Sequence, residues 1–279
     1  MAKVIKQFYE YISPASASTV TLSNYQDSPA TAFLKYVVSA KNASHQCLRT
    51  FKTKKRKKPY SNQALSSIQT INAGLLASIM GNFETYQKYL FAQMFENTIY
   101  LKRFDVKVFI KNLEKACNHG INIDIERFSA FRNNPTAVGL ILADSLKNWQ
   151  SPSIVNDYFN AFGLKKEDGH PITFYSNETK ETLSILWQMR HSIVHTASTI
   201  TIPDAQKIDK LKGFAGKEIV LDLQFIMEVA RKMHPIIKES TKHMEDCFIP
   251  NLKADLSPSM LASINKLFEV KSSCAIWLR

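Results

Sequence analysis

The sequence predicts an all-α protein built as a helical bundle. Three observations predict it. From Ser61 onward, apolar residues recur at three- and four-residue steps, the spacing that gathers them on one helical face. Only 8 glycines and 10 prolines interrupt the 279 residues, so long ordered elements are expected. No segment alternates apolar and polar residues over enough positions to predict a sheet.

Taken in order, residues 1–60 are mixed. VIKQFYEYI reads as a short helix ended by Ser13-Pro14, and the Ser-, Thr- and Pro-rich stretch from Pro14 to Thr31 reads as loop. TAFLKYVVSAKNASHQCL reads as helix and leads into the basic run FKTKKRKKPY. Leu75, Leu76, Ile79, Phe83, Tyr86, Leu90, Met94 and Phe95 then define a long helix reaching about Leu101. Asp105 is the expected N-cap of the next helix and Gly120 its stop. IDIERFSAF is a shorter helical candidate before the break at Asn134-Pro135, and TAVGLILADSLKNW resumes apolar helical spacing. Ser151 and Pro152 open a helix that closes on Gly163. Ser176 caps the helix NETKETLSILWQMRHSIVHTAS. Ile200–Pro203 reads as extended, PDAQKIDKLKG as a short helix ended by Gly213, and residues 222–248 as a long amphipathic helix kinked near Pro235. Ser257-Pro258 starts the last helix.

Composition narrows the function classes. No apolar run approaches the ~20 residues of a membrane span, and the N-terminus lacks the apolar core of a signal peptide. A soluble, cytoplasmic protein is expected. Cys47, Cys117, Cys247 and Cys274 are scattered, without CxxC pairs or nearby histidines at zinc-finger spacing. That pattern predicts reduced thiols rather than disulfides or structural zinc, and Cys274 stands too far from the end for a prenylation box. A P-loop, a paired-carboxylate metal site and a Gly-rich nucleotide loop are all missing, which argues against kinase, polymerase and metallonuclease chemistry.

The formal net charge is +12, and residues 1–60 carry eleven Lys or Arg against two acids, a net +9. The centre is Lys54, Lys55, Arg56, Lys57 and Lys58. Such a cluster attracts RNA through counterion release; a solvated loop or a patch for an acidic protein partner has the same composition.

The chemistry-bearing segment is LWQMRHSIVHTAS, Leu186 to Ser198. It sets Arg190, His191 and His195 on one helix beside the apolar Leu183, Leu186, Ile193 and Val194. At ~100° per residue, His191 and His195 share a face, while Arg190 leaves the helix ~140° from His195, with a side chain long enough to swing back. Histidine moves protons near neutral pH, and the guanidinium fork fits phosphate oxygens. Together they supply what cleavage of RNA by its own 2′-hydroxyl requires: a proton acceptor and a group that steadies the phosphorane charge. No metal is needed. The HxxxH pair lacks the glutamate of HExxH, since Ser192 follows His191, and no third zinc ligand is evident.

The string Arg190-His191-Ser192-Ile193-Val194-His195 resembles the R-x4-H signature of the HEPN superfamily, in which a polar residue often follows the Arg, as His191 does here. FETYQKYLFAQMFE resembles an early HEPN helix, and WQSPSIVNDYFNAFGL and GKEIVLDLQFIMEVARKMHPII resemble the flanks of the motif in RiboL-PSP-type members. The resemblance covers roughly residues 65–248. It implies a HEPN-like helical domain over 61–249, with a basic N-terminal extension over 1–60 and a C-terminal helical tail over 250–279. It further implies a homodimer with a composite cleft, metal- and cofactor-independent RNA cleavage, and use as a toxin or anti-phage effector with an antitoxin or other defence partner. Arg190 and His195 then take the catalytic roles, His191 orients the site, and Glu84 is a possible helper. The alternative is a HEPN-like module that binds RNA or protein without cutting. One departure stands out: some HEPN toxins carry a modifiable Tyr two residues after the motif His, where this chain has Ala197.

Overall fold

The longest run of helical periodicity forms the axis around which the chain packs. A computed structural model describes residues 20–53, 59–117, 121, 138–165, 169 and 173–271. In it, α3 (Asn62–Glu96) is flanked by α2 (Pro29–Phe51), α5 (Val138–Ser145) and α7 (Asn177–His195). The sequence pattern predicts one apolar face on α3. Met80, Gln87 and Phe91 are buried as fully as Leu76, Phe83, Tyr86 and Leu90, because neighbours cover the helix on several sides. An all-round apolar helix is the form a central position demands.

The other elements are α1 (Leu22–Asp27), α4 (Val106–Cys117), α6 (Pro152–Asn160), α8 (Ile202–Gln206), α9 (Phe225–Phe248) and α10 (Pro258–Leu267), with 3₁₀ turns at Asn97–Tyr100, Asp209–Phe214 and Ile249–Asn251. The protein is all-α. The described β pairings include the isolated bridges Leu101 with Leu252 and Thr199 with Glu218, and among the described residues no helix is long and apolar enough to cross a membrane. The main core runs from Phe33 and Leu34 through Phe83 and Trp187 to Phe248 and Ile264. Residues on both sides of the central 61–249 stretch therefore share its core.

Several expected caps are present. Ser61, Ser176 and Ser257 each accept a hydrogen bond from the third helical backbone N–H. Asp105 accepts from the N–H groups of Lys107 and Val108 at 2.8 and 3.2 Å. Gly163 follows α6 at φ +65°, a left-handed position glycine takes without strain. A tighter requirement falls on Gly139, where an added Cβ would lie 2.4 Å from the Ala92 carbonyl oxygen. Only glycine lets α5 approach α3 this closely, and the Gly139 N–H donates to Glu96 Oε1 at 2.5 Å.

Several expectations are corrected. Pro14–Thr31 is not loop throughout: α1 forms within it and α2 begins at Pro29. A reciprocal capping box between Thr21 and Asn24 and the burial of Tyr25, whose hydroxyl donates to Asn82 Oδ1 at 3.0 Å, outweigh the polar composition. Ile200–Pro203 is extended only as far as Thr201, because Pro203 sits in the first turn of α8, where its missing N–H is harmless. The single helix expected over 203–213 is split into α8 and a 3₁₀ turn that passes through Gly213 to Phe214. The long helix expected to about Leu101 stops at Glu96 and tightens into a 3₁₀ turn. The long helix expected over 222–248 begins at Phe225 and carries Pro235 inside it. VIKQFYEYI, IDIERFSAF, Gly120, Asn134-Pro135 and Cys274 lie outside the described residues.

Candidate active site

Helix α7 carries the motif because its apolar positions face inward. Leu183 and Leu186 are buried, and Ile193 packs against the core. Val194 is not part of that stripe; it is 46% exposed beside the exposed His195. The helix ends on His195, and the stop is built from hydrogen bonds. The Ser192 carbonyl accepts from Thr196 N–H (3.1 Å), Thr196 Oγ1 (3.0 Å) and Ser198 N–H (2.9 Å). Ala197 and Ser198 take left-handed φ values of 49° and 64°, each a cost of roughly 1 kcal/mol for a non-glycine residue. Strain of this kind concentrates where a functional turn is held in place.

The motif side chains converge. Arg190 swings back along the helix, and its Nη1 donates toward His195 Nε2 at 3.5 Å. In this pairing Nε2 is the acceptor, the ring nitrogen free to take a proton. The distance is at the outer edge of hydrogen bonding, so a bound phosphate can replace it without loss. Among the described residues the guanidinium has no carboxylate partner, and its Nε is buried without a hydrogen bond. A cation left unpaired beside a histidine suits an incoming anion. His191 packs one turn away, its ring centroid 4.9 Å from that of His195 and tilted at 45° to it.

A residue the motif does not contain completes the constellation. Asp204 is 6% exposed in the first turn of α8, and its Oδ2 lies 4.0 Å from His191 Nε2. Lys207 Nζ donates to Asp204 Oδ1 at 2.7 Å and Thr201 Oγ1 to Oδ2 at 2.8 Å. The Lys207 bond first, and the Thr201 bond after it, hold the carboxyl below its usual range, so Asp204 stays an anion beside His191. It is the natural orienting group for that ring. Only a tertiary contact reveals it, because α7 has ended and the chain has turned before Asp204 is reached.

Glu84 is held elsewhere. On α3 it pairs with Lys88 at 3.0 Å, and Lys88 reaches Asp144 at 3.5 Å. Glu84 lines a pocket of 690 Å³ with Lys147 and Trp149. That pocket shares Gln150 and Ser151 with a second one, of 320 Å³, that His191 borders. Lys54, Lys55, Arg56, Lys57 and Lys58 lie outside the described residues; the run is bounded by Thr53 and Pro59, joined by a 2.9 Å backbone hydrogen bond. Among the described residues no three His, Cys, Asp or Glu side chains group as metal ligands, and Cys47 and Cys117 are free thiols. In comparisons with family models, with curated proteins and with solved structures, nothing matches this chain.

Proposed function

We propose that the chain is a metal-independent endoribonuclease of HEPN type, working with Arg190 and His195 in a cleft completed by a second copy. The observation that carries this reading is the Arg190 Nη1 to His195 Nε2 approach of 3.5 Å on an exposed helix end, with the guanidinium uncommitted to any carboxylate among the described residues. His195 Nε2 takes the proton of the ribose 2′-hydroxyl as its oxygen attacks phosphorus. Arg190 braces the two non-bridging oxygens of the phosphorane. The bond from phosphorus to the 5′-oxygen breaks, and that oxygen receives a proton from a second imidazole. The products are a 2′,3′-cyclic phosphate and a free 5′-hydroxyl. A second copy supplies the further imidazole and arginine. The chain around His195 leaves Val194, Ile202, Phe214 and Val220 exposed, at 46 to 73%. Open apolar side chains gathered in one region favour a partner surface, and a two-fold pairing would bring both motif helices to one cleft.

The basic run Lys54–Lys58 adds affinity for the RNA backbone, and the biological setting consistent with such an enzyme is a toxin or anti-phage effector in the cytoplasm, held by an antitoxin or another defence protein. The test is cleavage of a short RNA by the purified protein with chelator present. The expected products are the cyclic phosphate and 5′-hydroxyl fragments, and a substrate with a 2′-deoxy nucleotide at the cut site should resist. Cleavage of that substrate at full rate, or activity abolished by chelator, would falsify the assignment. RNA binding with no cleavage by intact protein supports the non-catalytic module instead.

A further inference from the structure

We infer that the 320 Å³ pocket beside His191 is a nucleobase subsite, which holds one base next to the scissile phosphate and gives the enzyme base selectivity. The inference rests on the ribonuclease reading and names which part of the RNA the neighbouring surface takes. The pocket lies between the start of α6, one face of α7 and the segment after α8. Its apolar surfaces come from Trp187, Pro152 and Ile208. Its volume stands at the lower end of the roughly 300–1,000 Å³ typical of small-ligand sites, the scale of one splayed base rather than a duplex.

Some of the polar groups around this floor are uncommitted, although Gln188 donates to Ser192 Oγ and Lys207 to Asp204. Ser151 precedes α6 as its N-cap, yet its hydroxyl makes no capping bond. Half-buried Ser184 and exposed Gln150 also have no side-chain hydrogen bond among the described residues. Buried or half-buried polar groups are normally paired. Several unpaired ones around one apolar slot are the arrangement that reads the edge of an unstacked base, which is how single-stranded RNA is recognised.

Position ties the slot to the chemistry. Ser184, Gln188, His191 and His195 follow one another at helical spacing on one face of α7. His191 borders the pocket and packs against His195, so the near edge of the slot lies about one helical turn, ~5.4 Å of rise, from the proton acceptor. Lys207 stands at the rim with Asp204 holding it.

Two measurements test this on the full-length protein. In the first, the four nucleoside 3′-monophosphates are titrated by ligand-observed NMR. One base is expected to bind about tenfold more tightly than the weakest, the scale a pocket of this kind supplies, and Ser184→Phe, which fills the slot, should abolish that binding. In the second, cleavage of RNAs varied at one position is compared between wild type, Ser184→Phe and the milder Gln150→Ala/Ser151→Ala. Both variants should flatten base selectivity while keeping Arg190-dependent cleavage. Selectivity unchanged in the milder variant, or cleavage without mononucleotide binding at the slot, overturns the subsite and leaves the ribonuclease reading intact. Mononucleotide binding lost in Ser184→Phe, in a protein that cuts no RNA, supports the subsite and overturns the ribonuclease reading.

Discussion

Arg190 and His195, removed singly and together, reveal whether they act on one phosphodiester. Nη1 and Nε2 are 3.5 Å apart and belong to one chain, so a single phosphate can touch both. Alanine at 190 removes the fork; loss of one preorganised donor to a developing oxyanion lowers the rate by about 10²–10³-fold. Alanine at 195 removes the proton acceptor, typically worth about 10²–10⁴-fold. Independent groups would multiply, to a double-variant loss on the order of 10⁴–10⁷-fold. Groups that serve one step fail together, so the double variant should be no worse than the poorer single one. We expect the second outcome. Arg190→Lys keeps the charge without the planar fork and is expected to fall about tenfold or more below wild type. The fold should survive, since Arg190 Nε is already buried without a partner and its removal strands nothing. The assay is single-turnover cleavage of a quenched fluorescent RNA, with circular dichroism to confirm helix content. A multiplicative loss in the double variant, or Arg190→Lys at the wild-type rate, refutes the shared-phosphate geometry.

Three further outcomes are expected. Neutralising Lys54, Lys55, Arg56, Lys57 and Lys58 should weaken RNA binding and reduce the salt slope by roughly 0.7 for each single-strand phosphate that the run no longer neutralises; an unchanged slope assigns the run to solvent or to a protein partner. Gly139→Ala drives a methyl group to 2.4 Å from the Ala92 carbonyl oxygen, a backbone atom that moves only with its helix. The expected destabilisation is about 2 kcal/mol, or a Tm lower by roughly 4–8 °C, and an unchanged Tm would show that α5 slides freely on α3. Burial pushes the Tyr86 phenol up to about 12, against the lowering bonds from Ser240 and Thr241. The folded state favours the neutral form, so this contribution is intact below pH ~10 and is lost as pH rises from there through about 12. Chemical denaturation across that window should show a fall that is shallower in Tyr86→Phe; parallel curves would count against Tyr86 as a source.

The bundle was legible wherever a helix has local signals. Ser61, Ser176 and Ser257 announce their helices by side-chain capping, and Pro152 and Gly163 bracket α6. α1 was illegible because its residues look like loop, and the burial of Tyr25 against Tyr89, two helices further along the chain, decides the matter. At the site, residue types and spacing on one helix exposed Arg190, His191 and His195. Helical geometry set Arg190 ~140° from His195 around the helix with a side chain long enough to swing back, and the rotamer that does so is a side-chain choice no pattern encodes. Asp204 carries no local mark, since its relation to His191 exists only once the chain has turned after Ser198. The slot at Gln150, Ser184 and Ile208 is likewise a meeting of three segments.

The segment behind the motif has its own small core. Ile200, Ala205 and Leu211 form a cluster apart from the main one, joined by Ile185 of α7 and by Ile219. The segment is fastened at one end by the Thr199–Glu218 bridge and the donors on Ser192, and at the other by Gln69, whose side chain bonds both backbone groups of Leu221. Three buried residues resist opening far less than the bundle does, and regions this lightly packed exchange amide hydrogens by sub-global excursions. Each excursion carries Asp204, Lys207 and Ile208 away from His191 while α7 stays folded on α3. On warming, the proposed cleavage should then weaken through a local transition some degrees before the helices melt, and amide exchange at Ile200 and Leu211 should run ahead of exchange at Phe83 and Leu90.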